Sequence, residues 1–194
     1  MASLLDGLMQ QLGGDTIAKL GQQLGADSAT TQQAVGAALP AILGALAKNA
    51  QSPDGAASLA GALDKDHDGS VLNNLSSVLG AEGAANGASI LKHVFGGKQE
   101  AVESAVGASS GLNGAQAGNL LAMLAPIVMG ALGSAKRSGG LDAGGLAAML
   151  GQEKSAISSQ AGGALGGLMN LIDRDKDGSV VDDLTGMVGK LMGR

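Results

Sequence analysis

An all-α fold, a multihelical bundle, is what the sequence predicts, and three observations predict it. No window alternates apolar and polar residues with a strand's period of two, whereas apolar residues recur at helical spacing along the chain. The periodic segments are flanked by residues that start and stop helices. Aromatic residues are nearly absent, with one Phe and no Trp or Tyr. The core must therefore be built from Leu, Ile, Val, Met and Ala, and small side chains let helices approach closely.

Leu4, Leu5, Leu8, Met9 and Leu12 mark a first short helix, ended by Gly13-Gly14. Asp15 is placed to cap a second, which carries Ile17, Leu20 and Leu24 and stops at Gly25. Asp27 or Ser28 opens a longer helix with Val35, Ala38, Leu39, Ile42, Leu43 and Leu46. Asn113 with Gln116 reads as a capping box. It opens a matching helix through Ala117, Leu120, Leu121, Leu124, Ile127, Val128, Ala131 and Leu132. The 34 glycines weaken all of these helices, since each Gly inside a helix costs about 1 kcal/mol relative to Ala. Packing, self-association or a bound ion has to offset that.

The two long helices read as an internal duplication. Leu39-Pro40-Ala41-Ile42-Leu43-Gly44-Ala45-Leu46 aligns with Ala125-Pro126-Ile127-Val128-Met129-Gly130-Ala131-Leu132, and Ser58–Leu63 aligns with Gly145–Leu150. A proline inside a helix removes one hydrogen bond, so two matching prolines predict a kink used twice, the alternative being a helix boundary at each. Asn49–Pro53, Ser134–Gly140 and Gly151–Gly163 read as linkers. The last is the best domain boundary, separating a duplicated helical domain over 1–150 from a C-terminal helix-loop-helix over 163–194.

Formal net charge is -5 and the pI about 4.8. That disfavours nucleic-acid partners, which need a positive face; Lys136-Arg137, Lys190 and Arg194 are too few to supply one. There is no cysteine, which removes disulfides and thiolate metal sites. The N-terminus lacks a basic segment followed by a long apolar one, so no signal peptide is expected. The uncharged stretch Ser104–Ala135 is strongly apolar only over Leu120–Leu132. A span needs about 20 residues, so a buried core helix is expected rather than a transmembrane one.

The chemistry lies in a sharper repeat. Asp64-Lys65-Asp66-His67-Asp68-Gly69-Ser70-Val71-Leu72-Asn73-Asn74-Leu75 recurs at a constant offset as Asp173-Arg174-Asp175-Lys176-Asp177-Gly178-Ser179-Val180-Val181-Asp182-Asp183-Leu184. Carboxylates at loop positions 1, 3 and 5 converge on a point, Gly at 6 supplies a sharp turn, and the carbonyl at 7, Ser70 or Ser179, adds a ligand. Lys65, His67, Arg174 and Lys176 alternate with them and are expected in solvent. Val71 and Val180 stand where paired loops touch. The pattern resembles the calcium loop of EF-hand and dockerin-type modules.

Leu75 and Leu184 occupy position 12, where an EF-hand carries a bidentate Glu. They belong to apolar stripes instead. The closing ligand must come from position 10 or 11, from another segment or from water: Asn73 or Asn74 in the first copy, Asp182 or Asp183 in the second. The second loop, with five carboxylates in eleven residues, should bind more tightly. All-oxygen ligands suit Ca²⁺ better than Mg²⁺. The bland alternative is that Asp-rich turns merely cap the next helix.

Other motifs carry less. Gly107-Ala108-Ser109-Ser110-Gly111 fits the G-x-S-x-G spacing but follows no strand. Phe95-Gly96-Gly97-Lys98-Gln99 lacks the hydroxyl residue and upstream Gly of a phosphate loop. His67 and His93 are too far apart in sequence to suggest zinc. The eight methionines fit a core without aromatics.

Several stretches resemble the bacterial domain-of-unknown-function family numbered 937, related to YidB-like proteins. The carriers are Met1-Ala2-Ser3-Leu4-Leu5-Asp6, Ala37–Gly44, Ala62–Ser70 and, most distinctively, Ile90-Leu91-Lys92-His93-Val94-Phe95-Gly96-Gly97-Lys98-Gln99. The resemblance covers roughly 1–150 and implies a multihelical bacterial protein with no activity attached. YidB-like proteins resemble homeodomains in helix arrangement, which implies DNA binding; the acidic charge speaks against it.

The expectation is a non-enzymatic calcium-binding protein with a structural or interaction role, self-associating as a homo-oligomer through close helix contacts at residues such as Gly36, Gly44 and Gly130. The rivals are a nucleic-acid-associated, homeodomain-like module and a small-ligand protein or enzyme with a cleft between the repeats. For the latter the sequence offers only Asp15, Lys19, Asp142 and Glu153, which are scattered. Missing export signals point to the cytoplasm, while modest calcium loops suit the outside of a cell; export without a cleaved leader would reconcile the two.

Overall fold

The computed structural model describes residues 3–67, 69–73, 75, 79 and 81–160. Met1–Ile157 form one unit and Ser158–Arg194 another; the helices below belong to the first, the last of them running three residues past it. They are α1 (Leu4–Gln11), α2 (Gly14–Leu24), α3 (Ser28–Asn49), α4 (Pro53–Lys65), α5 (Ala81–Phe95), α6 (Gln99–Ser110), α7 (Gly114–Gly139) and α8 (Ala143–Gln160). Short 3-10 turns cover Ser70–Asn73 and Gly96–Lys98. Among the described residues there is no strand, so the all-α expectation holds.

The fold is built around α7. Leu120, Leu121, Leu124, Ala125, Ile127, Val128 and Leu132 are all 0% exposed. The helix contacts α5 most extensively, then α6, α3, the Ser70–Asn73 turn, α4, α2 and α1. By length and composition α7 could cross a membrane, yet 83% of its most apolar window is buried among the other helices. A helix apolar on all sides belongs inside a protein core as readily as in lipid.

Local signals set most helix ends. Ser3 caps α1 by accepting from Asp6 N–H at 3.1 Å. Asp27 caps α3, accepting from Thr30 N–H at 2.9 Å, and these bonds hold its carboxyl below the usual carboxylate range. Asn113 and Gln116 form the reciprocal capping box at α7. Gly25 and Gly111 take the left-handed conformation, with φ of 66° and 83°, as the chain leaves α2 and α6.

At both of these corners the backbone folds back onto a glycine. A Cβ on Gly21 would lie 2.8 Å from Ala26 O, and one on Gly107 would lie 2.7 Å from Leu112 O. Only hydrogen fits there. The pairs Gly21/Gly107, Gly25/Gly111, Asp27/Asn113 and Pro40/Pro126 share one sequence separation. Pro40 and Pro126 both lie inside their helices, so neither marks a boundary.

Three expectations change. Asp15 is in the first turn of α2, and the N-cap is Gly13. Ser134–Gly139 is helical, because α7 continues to the left-handed Gly140, whose turn is closed by Leu141 N–H to Lys136 O at 2.9 Å. Gly151–Gln160 is helical as well, as part of α8, and 161–163 lie outside the described residues. The glycines and serines that suggested linkers are tolerated because Leu132 in α7 and Leu146 and Leu150 in α8 are fully buried, and burial outweighs propensity. The expected linker Asn49–Pro53 shrinks to a turn over 50–52, since Asn49 ends α3 and Pro53 opens α4.

Candidate metal centre

The first Asp-rich segment begins inside a helix. Asp64 stands in the last turn of α4 and Asp66 is its C-cap, with the Asp66 N–H donating to Ala62 O at 3.0 Å. Both carboxylates therefore sit at the negative end of the helix dipole, where an anion is disfavoured and a cation favoured. Lys136, from the last turn of α7, supplies one cation: its Nζ donates to Asp64 Oδ1 at 2.6 Å. The lysine side chain is only 15% exposed and the aspartate 63%. The aliphatic stem thus lies along the protein while the ammonium reaches the surface carboxylate.

Beyond Asp66 the chain turns against α7. Gly69 has φ of 84°, the sharp turn expected at position 6. A Cβ there would lie 3.0 Å from Ser134 Cβ and 3.3 Å from Gly130 O. Leu72 N–H then closes onto Gly69 O at 3.1 Å, opening the 3-10 turn at Ser70. Val71 packs on Gly130, whose own Cβ would meet Val71 Cγ1 at 2.6 Å. Val71, expected both to touch a paired loop and to begin an apolar stripe facing a core, lies against the core helix among the described residues.

Lys65 is exposed as expected. His67 is not: it is half-buried, and burial holds its imidazole pKa below 6.5 against the opposing pull of Asp66. Leu79 is buried, in keeping with an apolar stripe after the loop, while Leu72 and Leu75 are half-exposed.

Of the expected ligands, Asp64, Asp66 and Ser70 are thus placed at the α4 end and the turn that follows it. Asp68 and Asn74 lie outside the described residues, as do Asp173, Asp175, Asp177, Ser179, Asp182 and Asp183. Among the described residues no group of three or more His, Asp or Glu side chains could hold a metal ion.

The remaining motifs resolve simply. Ser109 lies in α6 with its hydroxyl donating to Val106 O at 2.9 Å, so the G-x-S-x-G spacing forms no nucleophile elbow. His93 is exposed on α5, its Nδ1 2.8 Å from Ser89 O. A cavity of about 210 Å³ opens between α1, α2 and α3, lined by Met9, Leu12, Ile17, Ser28 and Gln32 among others, with no ionisable side chain. Of the glycines expected to serve self-association, Gly130 lies against Val71 of the same chain, whereas a Cβ on Gly36 or Gly44 would meet nothing within 4 Å among the described residues.

Three side chains, Lys136, Glu153 and Asp142, make contacts that the sequence alone does not assign. Glu153 accepts from Leu4 N–H at 2.7 Å and from Leu5 N–H at 3.5 Å. Asp142 caps α8 by accepting from Gly145 N–H at 2.7 Å. Asp142 had a local signal, three residues before its partner; the other two contacts span the chain and had none.

The fold and this end of α4 define an all-α helical protein with an acidic turn clamped to its central helix. The chain belongs to a family of bacterial proteins of unknown function, DUF937, whose model matches residues 6–135. No curated protein and no solved structure matches it.

Proposed function

We propose that this is a non-enzymatic calcium-binding helical protein with a structural or interaction role, acting as a homo-oligomer. The carrying observation is the pair Asp64 and Asp66 at the C-terminal end of α4, in a sequence pattern that recurs at Asp173, Asp175 and Asp177. Carboxylates on the negative end of a helix call for a cation, and three alternating aspartates before a left-handed Gly are a calcium-loop arrangement. The closing ligands on this reading come from Asn73 or Asn74 in the first loop and Asp182 or Asp183 in the second.

We further read the body as a duplication of a helix–corner–helix unit. The matched corners at Gly25 and Gly111, the matched caps Asp27 and Asn113, and the matched prolines support it. Self-association is supported by Gly36 and Gly44 on α3: among the described residues a Cβ on either would meet nothing within 4 Å, which leaves space for a second helix.

The experiment is calorimetric titration with calcium alongside thermal melting. Calcium at millimolar concentration should raise the melting temperature, and joint replacement of Asp173, Asp175 and Asp177 by Ala should remove most of the gain. A wild-type protein that gives neither heat nor stabilisation rules the reading out. Sedimentation of concentrated protein as a monomer, with or without calcium, would remove the oligomer.

A further inference from the structure

The geometry points to α8 being a strap that Glu153 closes onto α1, so that the two helices open and close as one cooperative unit while α7 stays folded. Leu146, Leu150, Glu153 and Ile157 follow helical spacing along one face of α8. The three apolar members are 0%, 0% and 6% exposed. Glu153 shares that face as a half-buried carboxylate, and a carboxylate drawn partly out of water needs partners.

It finds them at the start of α1. A helix begins with four N–H groups that have no partner of its own. In α1 these belong to Ser3, Leu4, Leu5 and Asp6. Ser3 N–H donates to Asp6 Oδ2 at 3.3 Å and Asp6 N–H to Ser3 Oγ at 3.1 Å. The other two, from Leu4 and Leu5, donate to Glu153. Half of the donors at this end are therefore satisfied by one side chain from the far end of the described chain.

The dependence runs both ways. α1 has eight residues, well short of the 12–15 or so at which an isolated helix becomes even marginal. Its other end is held by Leu8 and Leu12, each 1% exposed. Without Glu153, the Leu4 and Leu5 N–H groups lose their acceptor, and the positive end of the dipole keeps only Asp6 as an anion. Without the first turn of α1, the half-buried Glu153 carboxylate would lose the Leu4 and Leu5 N–H donors.

Hydrogen exchange on the full-length chain tests the strap, comparing wild type with Glu153→Ala and Glu153→Gln. A bond to a charged group in this setting predicts roughly tenfold faster exchange on removal. Exchange over Leu8–Leu12 and over α8 should rise together by that factor in Glu153→Ala, and by less in Glu153→Gln, which keeps one acceptor. Exchange over Leu120–Leu132 should not change. Unaltered exchange in α1, acceleration of α1 without α8, or equal acceleration in α7 would each overturn the strap. Should Glu153→Ala fail to fold, Glu153→Gln alone decides between the same outcomes.

Discussion

Gly87 of α5 lies directly against the backbone of Ala122 in α7: a Cβ on Gly87 would come within 2.6 Å of the Ala122 carbonyl carbon and still nearer its oxygen. α5 is also the helix with which α7 makes its most extensive contact. Replacing Gly87 by Ala improves helix propensity by about 1 kcal/mol. It also drives a methyl group into main chain that cannot rotate away, and overpacking of that kind costs about 1–3 kcal/mol. Sterics should win, so Gly87→Ala is expected to lower the urea midpoint.

Gly36 poses the opposite case. It is exposed within α3, and a Cβ there meets nothing within 4 Å among the described residues. Gly36→Ala should stabilise the monomer by about 0.5–1 kcal/mol. If a second chain packs on this face, the same change should instead weaken association. Denaturation at low and high protein concentration separates the two effects.

The corners should be sensitive to backbone chemistry. Gly111→Ala places a side chain at φ of 83°, costing about 1–2 kcal/mol. Asn113→Ala removes the cap that accepts from Gln116 N–H, costing about 1 kcal/mol. The pair are neighbours and need not add. Thermal melts of both single variants and the double variant provide the measurement.

Acid should loosen the acidic turn before it affects the core. His67 is half-buried and its folded pKa lies below 6.5, so the unfolded chain binds the proton more readily. Its contribution to stability is complete above pH 6.5 and is lost as pH falls through the folded value. The Tm should therefore drop between pH 7.5 and 5, and His67→Gln should flatten that dependence. Asp27 follows at lower pH: its contribution is present above 3.8 and is lost as pH falls through its depressed folded value. A Tm profile over pH 7.5–5 with the same slope in His67→Gln and wild type would remove the histidine from the account.

Lys136 should oppose a cation at the first acidic turn, because its ammonium already occupies Asp64. Lys136→Met keeps the buried stem and deletes the charge. In the absence of metal the change should be small, under about 1 kcal/mol, since the aspartate is largely solvated. In calcium titrations the variant should bind more tightly than wild type at the weaker site. Identical titration curves would show that Asp64 takes no part in binding.

The features legible in the sequence are those written in a few consecutive residues. Asp27, Asn113 with Gln116, and the stop at Gly25 could be read in advance, because capping joins groups three or four positions apart. The fully buried stripe of α7 was legible from its apolar period. Helix α5 was not singled out: its glycines and alanines give a weak pattern until Ile90, and what places it is the close approach of Gly87 to Ala122. At the acidic turn, the left-handed Gly69 was readable from the sequence, whereas the half-burial of His67 and the packing of Val71 on Gly130 were not.

By itself the amino-acid sequence determined a helical chain with an aliphatic core, the caps of the two long helices, the stop at Gly25, and a duplicated aspartate pattern. Only the tertiary structure decided that Ser134–Gly139 and Gly151–Gln160 are helix rather than linker, that Lys136 meets Asp64, and that Glu153 completes α1. The reason is one of range. Backbone hydrogen bonding and capping act over one turn and leave their mark in neighbouring residues. Burial and ion pairing act between segments whose proximity exists only after the chain has folded around α7.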